Sequence, residues 1–157
     1  RNFIIYMKKF TYILITITLF LISCGEEDPV YPKPDIPDSL KYVVPKYIYN
    51  GSTFAFVYND KIIKTKILDI ECFESENGII LEEQATRAGI SSDSALALGI
   101  KAKVLADSLI LGKEIKIIRD STRIDYDSWG RLYRYVEVDG KRFDSIMIER
   151  NLIVVFK

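Results

Sequence analysis

Beyond residue 40 the chain is written in short alternating runs, interrupted once by a long helical period. Tyr47-Ile48-Tyr49 and Thr53 to Tyr58 are aromatic and β-branched, which predicts two strands separated by an Asn50-Gly51 turn. Asn59-Asp60 predicts a second tight turn. From Lys61 to Glu71 the pattern alternates, with Ile63, Thr65 and Ile67 on one face and Lys64, Lys66 and Leu68 on the other. Residues 75–94 read as a loop with one turn of helix from Leu81 to Arg87. Ser91-Ser92-Asp93-Ser94 offers N-caps for a helix from Ala95 to Leu109, striped by Leu98, Ala102, Leu105 and Leu109 and ended by Gly112. Lys113 to Arg119 and Arg131 to Val138 predict further strands, the second turning at Asp139-Gly140. Asp144 is placed to cap a short helix from Ser145 to Arg150, Asn151 suits a left-handed residue after it, and Leu152 to Phe156 is apolar and extended. The pattern alone predicts a small, mainly β barrel with helical excursions.

The first 40 residues follow a different rule. Met7-Lys8-Lys9 precedes an uncharged run from Phe10 to Ser23, too short at 14 residues to span a bilayer. A basic start and a short apolar run predict an export signal over 1–23, with residues 1–6 upstream of the initiating Met7. Leu21-Ile22-Ser23-Cys24 resembles the bacterial lipobox, which implies cleavage before Cys24 and lipidation of its sulfur. Gly25 after the cysteine favours the outer membrane over the inner one by the same resemblance, and the acidic run Glu26-Glu27-Asp28 reads as a solvated spacer or, alternatively, a surface-export tag. Residues 24–40 carry four prolines among charges and predict an extended tether ahead of a domain at 41–157.

Composition narrows the chemistry. The chain has no histidine, which excludes a Ser-His-Asp triad, a Cys-His dyad and histidine-ligated zinc or haem. Once Cys24 is acylated only Cys72 remains, so no intramolecular disulfide can form. Of 22 basic and 22 acidic side chains, four basic and five acidic lie before residue 41, leaving 18 and 17 in the domain. That near-neutral body is not the strongly basic one of a duplex-DNA reader.

The segment Asp127-Ser128-Trp129-Gly130-Arg131-Leu132-Tyr133-Arg134-Tyr135-Val136-Glu137-Val138-Asp139-Gly140-Lys141 resembles the most characteristic stretch of the staphylococcal-nuclease (thermonuclease) family, D-x-Y-G-R-x-x-A-Y-V-x-x-D-G-K. Asp144 to Leu152 keeps the spacing of the helix that follows it there. Upstream, Asn50-Gly51-Ser52-Thr53 stands where the family has D-G-D-T, and Lys66 to Glu74 where it has R-L-x-x-I-D-x-P-E. The resemblance covers roughly 46–157 and implies a five-stranded OB-type barrel with packed helices. It also implies calcium-dependent hydrolysis of DNA or RNA phosphodiesters.

Carried over by position, Glu74 is the general base, Arg131 a phosphate clamp, and Trp129 stands for a substrate-contacting tyrosine. Lys66 stands for the second clamping arginine and keeps its charge without the bidentate fork. Ser52 and Glu71 fall at the two calcium-holding aspartates, so one charged ligand is lost and one sits on a longer arm. Asn50 replaces the first aspartate of D-G-D-T, and Phe73 the proline before the base. The implied function is therefore an exported, lipid-anchored nuclease with eroded activity, monomeric, acting on single-stranded or denatured nucleic acid. A non-catalytic OB-type module that binds nucleic acid or other anions is the alternative, and a structural envelope lipoprotein a lesser one. Without the resemblance, Glu74 and Arg131 read as surface charges, and Cys72 as a small buried hydrophobe.

Overall fold

The alternating run after Asn59-Asp60 becomes the strand on which the site is built. β1 (Tyr42–Val43), β2 (Tyr47–Asn50), β3 (Thr53–Tyr58) and β4 (Lys61–Ile67) come first in the chain. α1 (Ile79–Ala88) and α2 (Ser92–Ile110) follow. β5 (Ile115–Ile118), β6 (Leu132–Val138), β7 (Lys141–Arg142) and α3 (Phe143–Glu149) complete a mixed α+β fold. The computed structural model describes residues 31–155, so the export signal and Cys24 lie outside the described residues. Among those residues no helix is long and apolar enough to cross a membrane.

Asn59 and Asp60 both take positive φ, 48° and 60°, the geometry that lets a two-residue turn join twisted strands. β3 and β4 pair antiparallel from Thr53↔Lys66 to Tyr58↔Lys61. Ile63, Thr65 and Ile67 point inward, as the alternation predicts, while Lys64 is exposed and Lys66 half-buried. β4 then pairs parallel with β6, Lys66 opposite Tyr133. Arg131 immediately precedes β6, at the end of the loop that leads into it.

Among the described residues the sheet has seven strands, in the order β1-β5-β6-β4-β3-β2 with β7 on β6, rather than the five expected. This pairing leaves the path open. Its two end strands are nonetheless successive in the chain, parted only by residues 44–46. Pro45 has no N–H to give a ladder, which accounts for the split of one opening strand into β1 and β2.

α2 packs on β2 and α3 on β6, while α1 packs on α2 in a second, smaller core with Phe73 and Val154. α1 runs ten residues where one turn was expected, and Gly89 closes it in the left-handed conformation. In α2, Ser91 caps the Ser94 N–H as foreseen, but the buried face is Ala95, Gly99, Ala102, Ala106 and Ile110. Leu98, Leu105 and Leu109 only half-bury beside it. Small side chains allow closer approach: a Cβ on Gly99 would lie 2.0 Å from the Glu74 carbonyl oxygen. The last helix begins after Arg142, not Asp144, whose carboxylate takes the Arg142 guanidinium at 2.9 Å instead of capping.

Phe54, Phe56, Ile63, Ile67, Leu132 and Phe143 form the centre of the core. Ile36, from the stretch read as a tether, is buried with them. Arg134 points inward on β6, 2% exposed, and its charge is met by Asp125.

Two substitutions test this packing in opposite directions. Gly99→Ala forces α2 off the Glu74 backbone and lowers stability by about 1–3 kcal/mol in chemical unfolding. Thr65 is fully buried and its hydroxyl lacks a hydrogen-bond partner. Thr65→Val is therefore expected to raise stability by about 1 kcal/mol, read as a higher Tm.

Candidate functional site

Asn50 and Ser52, at the β2–β3 turn, start a chain of polar contacts that organises one side of a cleft. Ser52 is completely buried, and its N–H and hydroxyl both turn to the Asn50 Oδ1, at 3.0 and 3.3 Å. The Lys66 Nζ donates to the Ser52 Oγ at 2.8 Å, and the Cys72 N–H donates to the same oxygen at 3.2 Å. Asn50 Nδ2 donates to Glu74 Oε1 at 2.9 Å.

Gln84, buried on the inward face of α1, holds the loop at 71–74 from behind. Its Oε1 accepts the Glu74 N–H at 2.9 Å, while its Nε2 donates to Glu71 Oε1 at 3.0 Å and to the Cys72 carbonyl at 3.3 Å. The Val154 N–H adds a bond to the Glu71 carbonyl at 2.6 Å. Each carboxylate thus has one oxygen fixed by a side-chain amide.

The opposite wall is the loop before β6. Asp127, nearly buried, accepts the Trp129 N–H at 3.0 Å and the Arg131 N–H at 2.8 Å through Oδ1. Its Oδ2 takes the Arg131 Nε at 2.5 Å. Gly130 holds φ +71° there, where a Cβ would sit 3.1 Å from that of Tyr31. Arg131 also lies over the Trp129 ring, 4.8 Å from its centroid. Trp129 itself is 61% exposed.

Between these walls opens a cleft of about 1370 Å³. Lys66, Glu71, Glu74, Trp129 and Arg131 all line it, so five of the sequence-derived site residues converge. Ser52 lies beneath them, tied to Lys66. Arg131 pairs with Asp127 and faces the cleft at once. Six basic and four acidic side chains line the cleft, in a chain whose charges balance. Tyr31, Tyr49, Ile62 and Ile80 give it an exposed apolar rim.

Burial lowers the pKa of Lys66; the Glu71 carboxylate works against that shift, and Arg131 adds to it. Cys72, free and buried, has its thiol pushed up to about 12 chiefly by burial, which leaves it no thiolate at neutral pH. Cys24 lies outside the described residues.

Calcium takes six to eight oxygen ligands. Among the described residues no three Asp, Glu, His or Cys side chains gather in a metal-holding group. Ser52 already accepts two hydrogen bonds and donates one, using both lone pairs and its proton. The donor set therefore does not fit the calcium site that the resemblance implies. The sequence reading missed Gln84 altogether, whose only signal is a polar residue on an inward helix face. Nothing in the sequence marks Asn50 as the partner of Glu74.

No protein-family model matches the chain, and no curated protein matches it.

Gln84→Leu removes the partner of the Glu74 N–H and frees Glu71 and the Cys72 carbonyl. It is expected to cost about 1–3 kcal/mol in chemical unfolding, against less than about 0.5 for Glu83→Ala on the exposed neighbouring face.

Proposed function

We propose that the protein is an exported, lipid-anchored relative of the thermonucleases that takes up single-stranded or denatured nucleic acid by its phosphates. The calcium-dependent hydrolysis of DNA or RNA that the resemblance implies is eroded in it. The observation that carries this reading is the meeting of Lys66, Glu71, Glu74 and Arg131 at one open cleft, from segments far apart in sequence. Lys66 supplies a point charge and Arg131 its terminal nitrogens for phosphate oxygens. Trp129 and the tyrosines at the rim offer faces on which bases stack, which suits unpaired strands. Glu74, fixed by Asn50, is the group that would accept a proton from an attacking water.

The OB-type reading of the fold belongs with this proposal. It is supported by the parallel β4–β6 pair and by end strands that follow one another in the chain. Anchoring through lipidated Cys24 at the outer membrane or cell surface is part of the same proposal.

A non-catalytic binding module is the second reading, favoured by the Lys66–Ser52 contact where a metal carboxylate would stand. Incubation of the full lipoprotein in detergent with calcium and heat-denatured DNA separates the two. The first reading expects slow cleavage that Glu74→Gln reduces by about 10²-fold or more while strand binding persists. Salt-sensitive binding with no cleavage supports the second. Cleavage that Glu74→Gln leaves intact runs against the site assignment.

A further inference from the structure

We infer that the Lys66 ammonium is the fixed cation of this cleft, so that the cleft holds a nucleic-acid phosphate between Lys66 and Arg131 without a divalent ion. This inference rests on the reading that the cleft takes phosphates, and it concerns how it does so.

Three observations lead to it. The first is Ser52. Its oxygen accepts the Lys66 Nζ at 2.8 Å and the Cys72 N–H at 3.2 Å, and its proton goes to Asn50 Oδ1. A hydroxyl has two lone pairs, so this one has none left for a metal. It is completely buried, so it cannot swing outward to find one.

The second is the pair of carboxylates. Glu71 and Glu74 are tied to Gln84 and Asn50 at 3.0 and 2.9 Å. Burial lowers the pKa of Lys66, and both carboxylates work against that shift, favouring its charged form. The ammonium thus already sits in the field that would draw a metal ion, and a second cation brought there would meet its repulsion.

The third is geometry. Lys66 and Arg131 line the same cleft, near enough for the two charges to act on one another. An ammonium has three N–H donors, and Ser52 takes one of those on Lys66. Asp127 takes the Nε of Arg131, which leaves the terminal nitrogens of its guanidinium for a ligand. Together these donors match a phosphate's several oxygens.

The test uses the full lipoprotein in detergent micelles and 5′-phosphorylated oligothymidylate as the probe, followed by the fluorescence of Trp129, the single tryptophan. Titrations are run in excess EGTA and in millimolar calcium at matched ionic strength. The expected Kd differs by less than about threefold between the two media, since no ligand contact passes through a metal. Lys66→Met is expected to weaken binding by about tenfold or more in both, with no rescue by calcium. A wild-type affinity that calcium raises tenfold or more overturns the inference while leaving the phosphate reading in place. Undiminished binding by Lys66→Met also overturns it. No binding in either medium overturns the phosphate reading, and this inference with it. The wild-type comparison needs no variant, so a Lys66→Met protein that failed to fold would not blunt the test.

Discussion

The site depends on one unbroken run of hydrogen bonds: Lys66 to Ser52, Ser52 to Asn50, Asn50 to Glu74, Glu74 to Gln84 and Gln84 to Glu71. It ties β4 and the β2–β3 turn, already neighbours through the Thr53↔Lys66 pair, to the loop at 71–74 and α1, which lie outside the sheet. Asn50, Ser52 and Gln84 are buried, and buried polar groups are costly unless each has its partner, so the run stabilises most when complete. Much of the packing serves that closure. Gly99 lets α2 lie directly on the backbone that carries Glu74, and the alanine face of α2 brings the helix near enough to do so.

The other wall follows a different principle: cations fixed by carboxylates. Asp127 sets both the backbone of the Trp129–Arg131 loop and the direction of the guanidinium, while Asp125 meets the buried Arg134 behind it. The stretch ahead of β1 adds a third boundary. Tyr31 and Pro32 lie against Gly130, the Tyr126 hydroxyl donates to the Pro34 carbonyl, and Ile36 enters the core. Tyr49 and Lys64 also line the cleft, the lysine ammonium resting on the tyrosine ring.

How much of this was legible in the sequence depended on how local the signal was. The alternation of β4, the Asn59-Asp60 turn and the left-handed Asn151 are set by residues adjacent in the chain, and all read correctly. The stripe on α2 held only at Ala102, with its leucines half-buried. Counting leucines assumes that the largest apolar groups face the core, whereas close approach to the 73–74 backbone selects Gly99 and its alanine neighbours. Ile36 was hidden by the prolines around it, because composition describes a segment and not the single side chain that docks. The candidate site was legible only through the family resemblance, and its wiring through Asn50 and Gln84 was not legible at all. A hydrogen bond between residues 50 and 74 leaves no periodic trace.

The replacement of a charged ligand by Ser52, and of a forked clamp by Lys66, follows one logic under the proposed reading. A tethered ammonium holds a phosphate as a point charge and needs no ion from solution. It does not polarise a phosphorus–oxygen bond as a divalent ion does, nor generate a hydroxide from bound water. On that reading the same exchange would preserve uptake of a strand and weaken the electrostatic stabilisation of charge that develops in the transition state, usually the largest contribution to cutting. Glu74 stays fixed by Asn50 in either case, since its partners are structural groups rather than a metal. Retention of the base is thus no measure of retained turnover: Glu74 also ties α1 to the β2–β3 turn, and that structural duty alone is enough to keep a carboxylate there.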